Sequence, residues 1–475
     1  MGLMYELRRT CNMLSVQPQA GTSPETGTAP TLVGKQAVVV GAGMGGLAAA
    51  GALADHFEQV VVLERDTLPL DSAHRAGTPQ SRHIHGLLAG GQRALGELFP
   101  GFEQDLALAG AVPLRVTLDV RIEMPGYDPF PQRDIGFVTY SMSRPLIELV
   151  VRRRVERHSN ITLRPRCRVR DLLPSADHTA VTAVCSENAD GKSETLDADL
   201  VVDASGRGNL TCSLLESIGQ PMPEETVIGV DIGYATAVFA IPDDAPSDWK
   251  AMRTLPDIRE SSRGGLMLPL EGERWMVTIG GRHGDKPPGD GDGFLAFTQQ
   301  LRTSTLYDAI RHTERLGDVV RFGFSASVWR HFERLQTFPR GLLPFSDAIC
   351  RFNPIYGQGM SVAAQEAVLL RRLLGSGEGD PLAGLAPAFF TEACGLIETP
   401  WASAAVPDFA FSETEGERPP DLDRMLKFRR VFNRLAAADP AIHKLTTEVG
   451  HLLKPRSALR DPGLIERAQA MMTEA

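Results

Sequence analysis

The sequence predicts an α/β protein: a nucleotide-binding domain on a parallel sheet, interrupted by a mainly β-sheet domain and followed by a helical C-terminal region. Three observations predict it. Strand, glycine-rich turn, helix and second strand succeed one another between Ala37 and Glu64. Strand-like runs dominate residues 226–340. After Leu343 the chain turns helical and stays so almost to Ala475.

Size and composition set the frame. A chain of 475 residues has the length of about two to three domains and can bury a large core. A net charge of -10, with acids and bases interspersed, disfavours a nucleic-acid partner and offers no basic patch to anionic lipid. The six cysteines are scattered without a Cys-x-x-Cys pair, so they read as buried thiols of a cytoplasmic protein. No run reaches the roughly 18 apolar residues of a membrane span, so no integral membrane segment is expected.

In chain order, residues 1–33 read as a disordered lead, because 14–32 are rich in Pro, Gly, Ser and Thr without periodicity. The strand "AVVV", the helix "LAAAGALAD" and the strand "QVVVLE" then make one βαβ unit. From Ile161 to Asp203 short strands separated by "SADH" and "NADGK" read as a small meander ending in the apolar strand "DLVVDA". The runs "VIGVDIGYATAVFAI", "GGLMLPL", "RWMVTIGG" and "VVRFGFSASVW" form the next sheet, with a helix near 293–303.

The first chemical motif is Gly41-x-Gly43-x-x-Gly46, with Glu64 about twenty residues further on at a strand end. Gly41 permits the tight turn, Gly43 lets the backbone approach a pyrophosphate, and Gly46 lets helix pack on strand. The helix N-terminus then stabilises phosphates, and the Glu64 carboxylate accepts hydrogen bonds from ribose hydroxyls. This unit alone does not separate FAD from NAD. Two later strand ends do: "LVVDASGRGN", with Asp203, Ser205, Gly206 and Arg207, and "GLLPFSDAICRFNPIYGQGM", with Asp347. Ligands sit beyond the carboxyl ends of parallel strands, so three such ends converge on one extended ligand.

Together these motifs resemble the flavoprotein monooxygenases of the para-hydroxybenzoate hydroxylase type. Within that superfamily, "RAGTPQSRHIHGLLAGGQRALGELFPG", "MSRPLIELVVRRRV", "VVDASGRGN", "RFNPIYGQGM" and "ETPWASAAVPDFAF" look like the bacterial squalene-epoxidase-like branch, which includes the olefin epoxidases of polyether biosynthesis. The resemblance spans nearly everything after residue 34. It implies a Rossmann-like FAD-binding domain (34–215, closed by 341–375), an inserted mixed-sheet substrate domain (216–340) and a C-terminal helical region (376–475). It also implies Glu64 on the adenosine ribose, Arg144 on the phosphate or ribityl region, Asp347 on the ribityl hydroxyls, and the loop from Asn353 through Pro354, Gly357 and Gly359 to Met360 around the flavin ring. Arg65, Arg82, Asp203 and Gly206 complete the expected cofactor set. Ser346 departs from the pattern, standing where the family usually has glycine, and its side chain is expected to crowd the cofactor.

The bareness of the loop has a physical reading. Reduced flavin carries negative charge, which free N–H groups at a helix N-terminus stabilise; bulk at Gly357 or Gly359 keeps the ring away from them. What the resemblance implies for activity is transfer of one oxygen atom from O2, through a flavin hydroperoxide, to an alkene or electron-rich ring of an apolar small molecule in secondary metabolism. Electrons come from NAD(P)H, directly or through a flavin reductase. No catalytic side chain is assigned. A prenyl-chain or alkene reductase on the same scaffold is the alternative, whereas a halogenase is disfavoured because no two tryptophans stand two apart. His83 and His85 fit a flavin-lining loop and lack a nearby third ligand for zinc. Tyr356 lines the site or packs, and Arg152, Arg153 and Arg154 read as a solvated face.

Overall fold

The computed structural model describes residues 32–376 and 379–473, all within the unit Leu32–Ala475. The expected lead, up to Thr31, lies outside the described residues, as does Cys11. Val33 is already tied in, donating to the His56 carbonyl at 2.8 Å.

A run of apolar residues that must be buried on both faces favours a central parallel strand. The first strand, Gly34–Val40, is such a run and lies at the middle of a five-stranded sheet. Phe57–Glu64 and then Ile161–Pro165 flank it on one side, Leu200–Asp203 and Leu342–Pro344 on the other, all in parallel. Alternate residues serve two cores. Val39, Val60, Val62, Val202 and Leu343 pack under the helices, while Val38, Val61, Val201 and Leu342 pack against Leu172, Val181 and Val184 of a three-stranded meander. Each such side chain contributes about 1.5–3 kcal/mol by leaving water. The helix after the first strand, Met44–Leu53, starts three residues before the expected "LAAAGALAD", with Gly43 as its N-cap.

The inserted sheet has seven strands. Its longest strand is Glu225–Ala240, flanked by Arg274–Arg282, Gly264–Leu270 and Ala251–Thr254 on one side and by Val320–Arg330 on the other. Two outer strands come from elsewhere: Val120–Glu123, from within the first domain's span, and Cys350–Arg351, from the closing turn. One face packs through Ala235, Phe239, Trp275, Val277 and Ile279 onto helices Gly291–Gln299 and Thr305–Ile310. The opposite face carries Ile232, Tyr234, Phe322 and Phe324 and meets Ala405, Phe409 and Ile355, so the C-terminal helix Leu385–Asp408 covers part of it.

Two expectations are corrected here. Arg152 is not solvated: it is buried, and its guanidinium donates to the Pro69 carbonyl. Among the described cysteines only Cys167 and Cys350 are buried, the others being half-buried. Among the described residues no helix is long and apolar enough to cross a membrane.

Candidate active site

The glycines of the first turn divide by what surrounds them. Gly41 has φ 100°, a left-handed conformation that favours glycine. A Cβ on Gly46 would lie 1.8 Å from the Gly41 carbonyl oxygen, so helix and strand touch through bare backbone. A Cβ on Gly43 would meet nothing within 4 Å. The space beyond Gly43 therefore lies open in front of a helix N-terminus that no side chain caps, where the first N–H groups lack intrahelical partners.

Glu64 is buried and held rather than free. Its carboxylate accepts from Ala42 N at 2.8 Å and Asp66 N at 3.0 Å and faces Arg75 Nη1 at 3.1 Å. A carboxylate has about four acceptor sites, so one remains for a ligand hydroxyl. Arg75, to which the sequence reading gave no role, also pairs with Asp66 at 3.0 Å and Glu148 at 2.7 Å. Arg144 pairs with the same Glu148 at 2.8 Å, at an angle that leaves its Nη1 without a well-directed acceptor. Arg75, Asp347 and His85 are its other charged or titratable neighbours. Burial and that arginine hold the His85 imidazole at about 4, neutral at pH 7.

Asp203 behaves otherwise than expected of a ligand. It is fully buried, and its oxygens accept from Ser205 Oγ at 2.5 Å, Thr211 Oγ1 at 2.7 Å and both backbone N–H groups of those residues. The carboxylate ties its own turn to the next helix, Asn209–Ser217. The cleft at this strand end belongs to Gly206, at φ 101° with nothing within 4 Å of a Cβ.

The third strand end joins the two helix mouths. Ser346 takes φ 59°, a left-handed conformation costing a non-glycine residue about 1–2 kcal/mol. Its side chain packs on the first helix, since a Cβ on Gly45 would lie 2.8 Å from Ser346 Cβ. The next residue, Asp347, lies 3.9 Å from where a Gly359 Cβ would sit, at the first turn of helix Gly359–Gly375. Desolvation of this half-buried residue raises the Asp347 carboxyl to about 6 against the pull of Arg351 and Arg144.

Beneath this turn Glu366 is fully buried and accepts from Ser346 N at 2.9 Å, while its Oε1 has no hydrogen-bond partner. Desolvation, offset in part by that bond and reinforced by Asp347, raises it to about 8. The folded protein thus holds a proton that the unfolded chain, titrating near 4.5, releases. This contribution is complete below pH 4.5 and is lost as pH rises toward 8. The expected result is that Glu366→Gln gains on wild type by roughly 4 kcal/mol between pH 5 and 8.5. Urea unfolding of both proteins across that range measures it, and a pH-independent difference rules it out.

The loop quoted for the flavin ring is brought to the same place, with its side chains sorted differently from expectation. Gly357 takes φ 66° and approaches Gly86 of the 79–88 loop, a Cβ there lying 3.7 Å from the Gly86 carbonyl oxygen. Helix Gly359–Gly375 begins without a side-chain cap. Met360 is half-buried at that mouth, and Pro354 is exposed. Asn353 is fully buried: its carbonyl accepts from Ile355 N, and its amide donates to Asp408 at 3.0 Å. Asp408 also accepts from Tyr356 at 2.7 Å and Arg282 at 2.8 Å. Neither Asp408 nor Arg282 was singled out from sequence. His83 is buried against Tyr234, bonds Thr236 Oγ1 at 2.7 Å and leaves Nε2 unpartnered. Burial holds it at about 4, neutral at pH 7. The Arg65 and Arg82 side chains are exposed and make no hydrogen bond or ion pair with a described residue, while Arg82 stands near enough to His74 and His83 to lower both imidazoles. Among the described residues no cluster of three or more His, Cys, Asp or Glu suits a metal ion.

These residues fit an extended dinucleotide. Cβ-sized space stands open at Gly43, Gly86 and Gly206, two uncapped helix mouths meet through Ser346 and Asp347, and an arginine waits beside them with an unused donor.

A parallel sheet with such mouths, with a mixed sheet whose Thr236 bonds His83, is a fold shared with flavin-dependent monooxygenases and halogenases. The chain is similar to the flavin-dependent brominase Bmp2 (TM-score 0.64, 14% identity, covering 92% of this chain and 100% of that one). It is also similar to PqsL, a probable FAD-dependent monooxygenase from Pseudomonas aeruginosa (TM-score 0.57, 17% identity, 80% and 98%). No family model matches the chain. It is 32% identical over 394 residues to Protein Rv3254 of Mycobacterium tuberculosis, covering 81% of this chain and 82% of that protein, and it belongs to that protein's family. Kynurenine 3-monooxygenase of Salinispora tropica is 27% identical over 361 residues, 72% of each chain.

Proposed function

We propose that the protein is an FAD-dependent monooxygenase of the squalene-epoxidase-like branch, passing one oxygen atom from O2 to an apolar small molecule by epoxidising an alkene or hydroxylating a ring. The observation that carries this reading is the pair of uncapped helix N-termini, after Gly43 and at Gly359, linked by Gly45, Ser346 and Asp347. Residues 34–215 and 341–375 form the cofactor domain, 216–340 the substrate domain with Val120–Glu123 added at its edge, and 376–475 the helical cover.

In this reading the first helix N-terminus holds the diphosphate and Glu64, fixed by Arg75, accepts from the ribose. Arg144, Asp347 and the Gly206 turn line the middle of the cofactor, and the Gly359 helix mouth receives the negative charge of the reduced ring. FAD, when bound, supplies the activation of dioxygen. The chain orients the substrate, and the mixed sheet and C-terminal helix exclude water. His83, neutral at working pH, offers one hydrogen bond without adding charge. Electrons come from NAD(P)H, directly or through a flavin reductase.

Denaturing the purified protein should release FAD, and anaerobic mixing with NADPH or NADH, with or without a flavin reductase, should bleach it. Under labelled dioxygen, candidate alkenes and aromatics should give product with one labelled oxygen. Gly359→Val should lower coupled product about tenfold or more by displacing the ring from the N–H groups, leaving the shape of the pH profile unchanged. A product gaining two hydrogens and no label would make the enzyme an alkene reductase, and full coupling in the variant would remove the loop's role.

A further inference from the structure

Side chains alternate across a sheet, so register tells which residues share a face. Thr236 pairs with Thr278, Thr278 with Leu266, and Leu266 with Arg253. These four therefore stand in one row, about three strand spacings or 14 Å long. Thr236 bonds His83 of the cofactor-side loop. Arg282, on the same strand and of the same parity as Thr278, reaches Asp408 and through it Tyr356. The row therefore faces the candidate active site, while the residues of opposite parity, Met252, Met267 and Val277, fill the core behind it.

Arg253 is the charged member of that row, half-buried, and no described residue hydrogen-bonds or ion-pairs with its guanidinium. Its charged or titratable neighbours are the Tyr356 hydroxyl and a second cation, Arg429, on helix Leu422–Ala438. Desolvation and that like charge lower the Arg253 pKa. The acid next to Tyr356 is already committed: Asp408 serves Arg282, Asn353 and Tyr356. A cation drawn from water without a partner is expensive, so the interior of a substrate site holds one where a ligand brings the counter-charge.

We propose that Arg253 anchors a carboxylate of the substrate, so that the molecule oxidised is an acid with an apolar body. The planar guanidinium matches a carboxylate in two parallel bonds. A monoanion suits one guanidinium with an exposed Arg429 at the rim, where a phosphate dianion calls for more cations at close range. The apolar body lies along Leu266 toward Thr278 and His83. This inference deepens the monooxygenase reading and rests on it for the word substrate.

The test uses the full chain, purified with its cofactor, and two matched pairs of probes: cinnamate with cinnamamide, and dodecanoate with dodecanamide. Equilibrium dialysis measures binding, and FAD content is determined on the same samples. Wild type should bind each acid about tenfold or more tighter than its amide. Arg253→Gln should bring the two within about twofold, and Arg253→Lys should keep part of the preference. Because Arg253 has no hydrogen-bond or ion-pair partner among the described residues, Arg253→Gln should retain FAD and melt no lower than wild type. Equal binding of acid and amide, no binding of either acid at about 1 mM, or a preference that survives Arg253→Gln overturns the anchor. An Arg253-dependent preference in a protein that holds no FAD sinks the flavin reading and leaves the anchor standing.

Discussion

Gly46→Ala destroys cooperative folding, whereas Gly43→Val gives a folded protein that no longer retains FAD: this contrast between two glycines of one turn is the largest effect expected. A Cβ on Gly46 meets the Gly41 carbonyl oxygen at 1.8 Å, and that oxygen belongs to backbone that cannot rotate away. Helix and strand must separate, opening the core of Val39, Leu47 and Val62. The Gly43 position meets nothing within 4 Å, so valine there costs the apoprotein little and fills the space offered to a diphosphate. Circular dichroism melts and FAD release separate the two. A Gly43→Val protein that stays yellow would falsify the cofactor placement, and a well-folded Gly46→Ala protein would remove the close-packing argument.

Asp408→Ala should cost about 3–5 kcal/mol, because a buried ion pair broken from one side leaves the other charge uncompensated. Arg282 would keep only its stacking on Phe411, at 4.7 Å from the ring centroid, and Asn353 and Tyr356 would lose their acceptor. The double variant Asp408→Ala, Arg282→Met should recover part of the loss, since removing both partners leaves no orphaned charge. Urea unfolding of the three proteins gives the numbers. A loss under about 1 kcal/mol in the single variant would mean that water reaches the network and screens it.

Sequence pattern made the parallel sheet legible because Ala37 to Val40 and Leu200 to Val202 are apolar without alternation, as strands covered on both faces must be. The glycine turn was legible for a similar reason: its spacing is dictated by close approach. Strand Val120–Glu123 was not, since it is short, lies at an edge and is mostly half-buried. Asp203 and Asp347 look alike in sequence, each an acid at a strand end. Only the partners supplied by Ser205 and Thr211 reveal that Asp203 is spent on its own turn. Asp408 joins side chains 55 and 126 positions away, and Arg253 is informative through the lack of a partner among the described residues. Neither property leaves a local trace in the chain.

The strand Cys350–Arg351 pairs with Val328 and Trp329, so the turn bearing Asp347 and the loop beginning at Asn353 are sewn into the inserted sheet on either side of it. The two halves of the cleft are therefore not interchangeable modules. A chimera that took residues 216–340 from a relative would have to match its outer strand to this short native edge, and its strand 251–254 to Val120–Glu123 at the other end. Grafts confined to that span should place the loop out of register, while grafts that carry both seams with them should keep it. Substrate range in this lineage would then change more readily by point substitution along the sheet face than by exchange of whole segments.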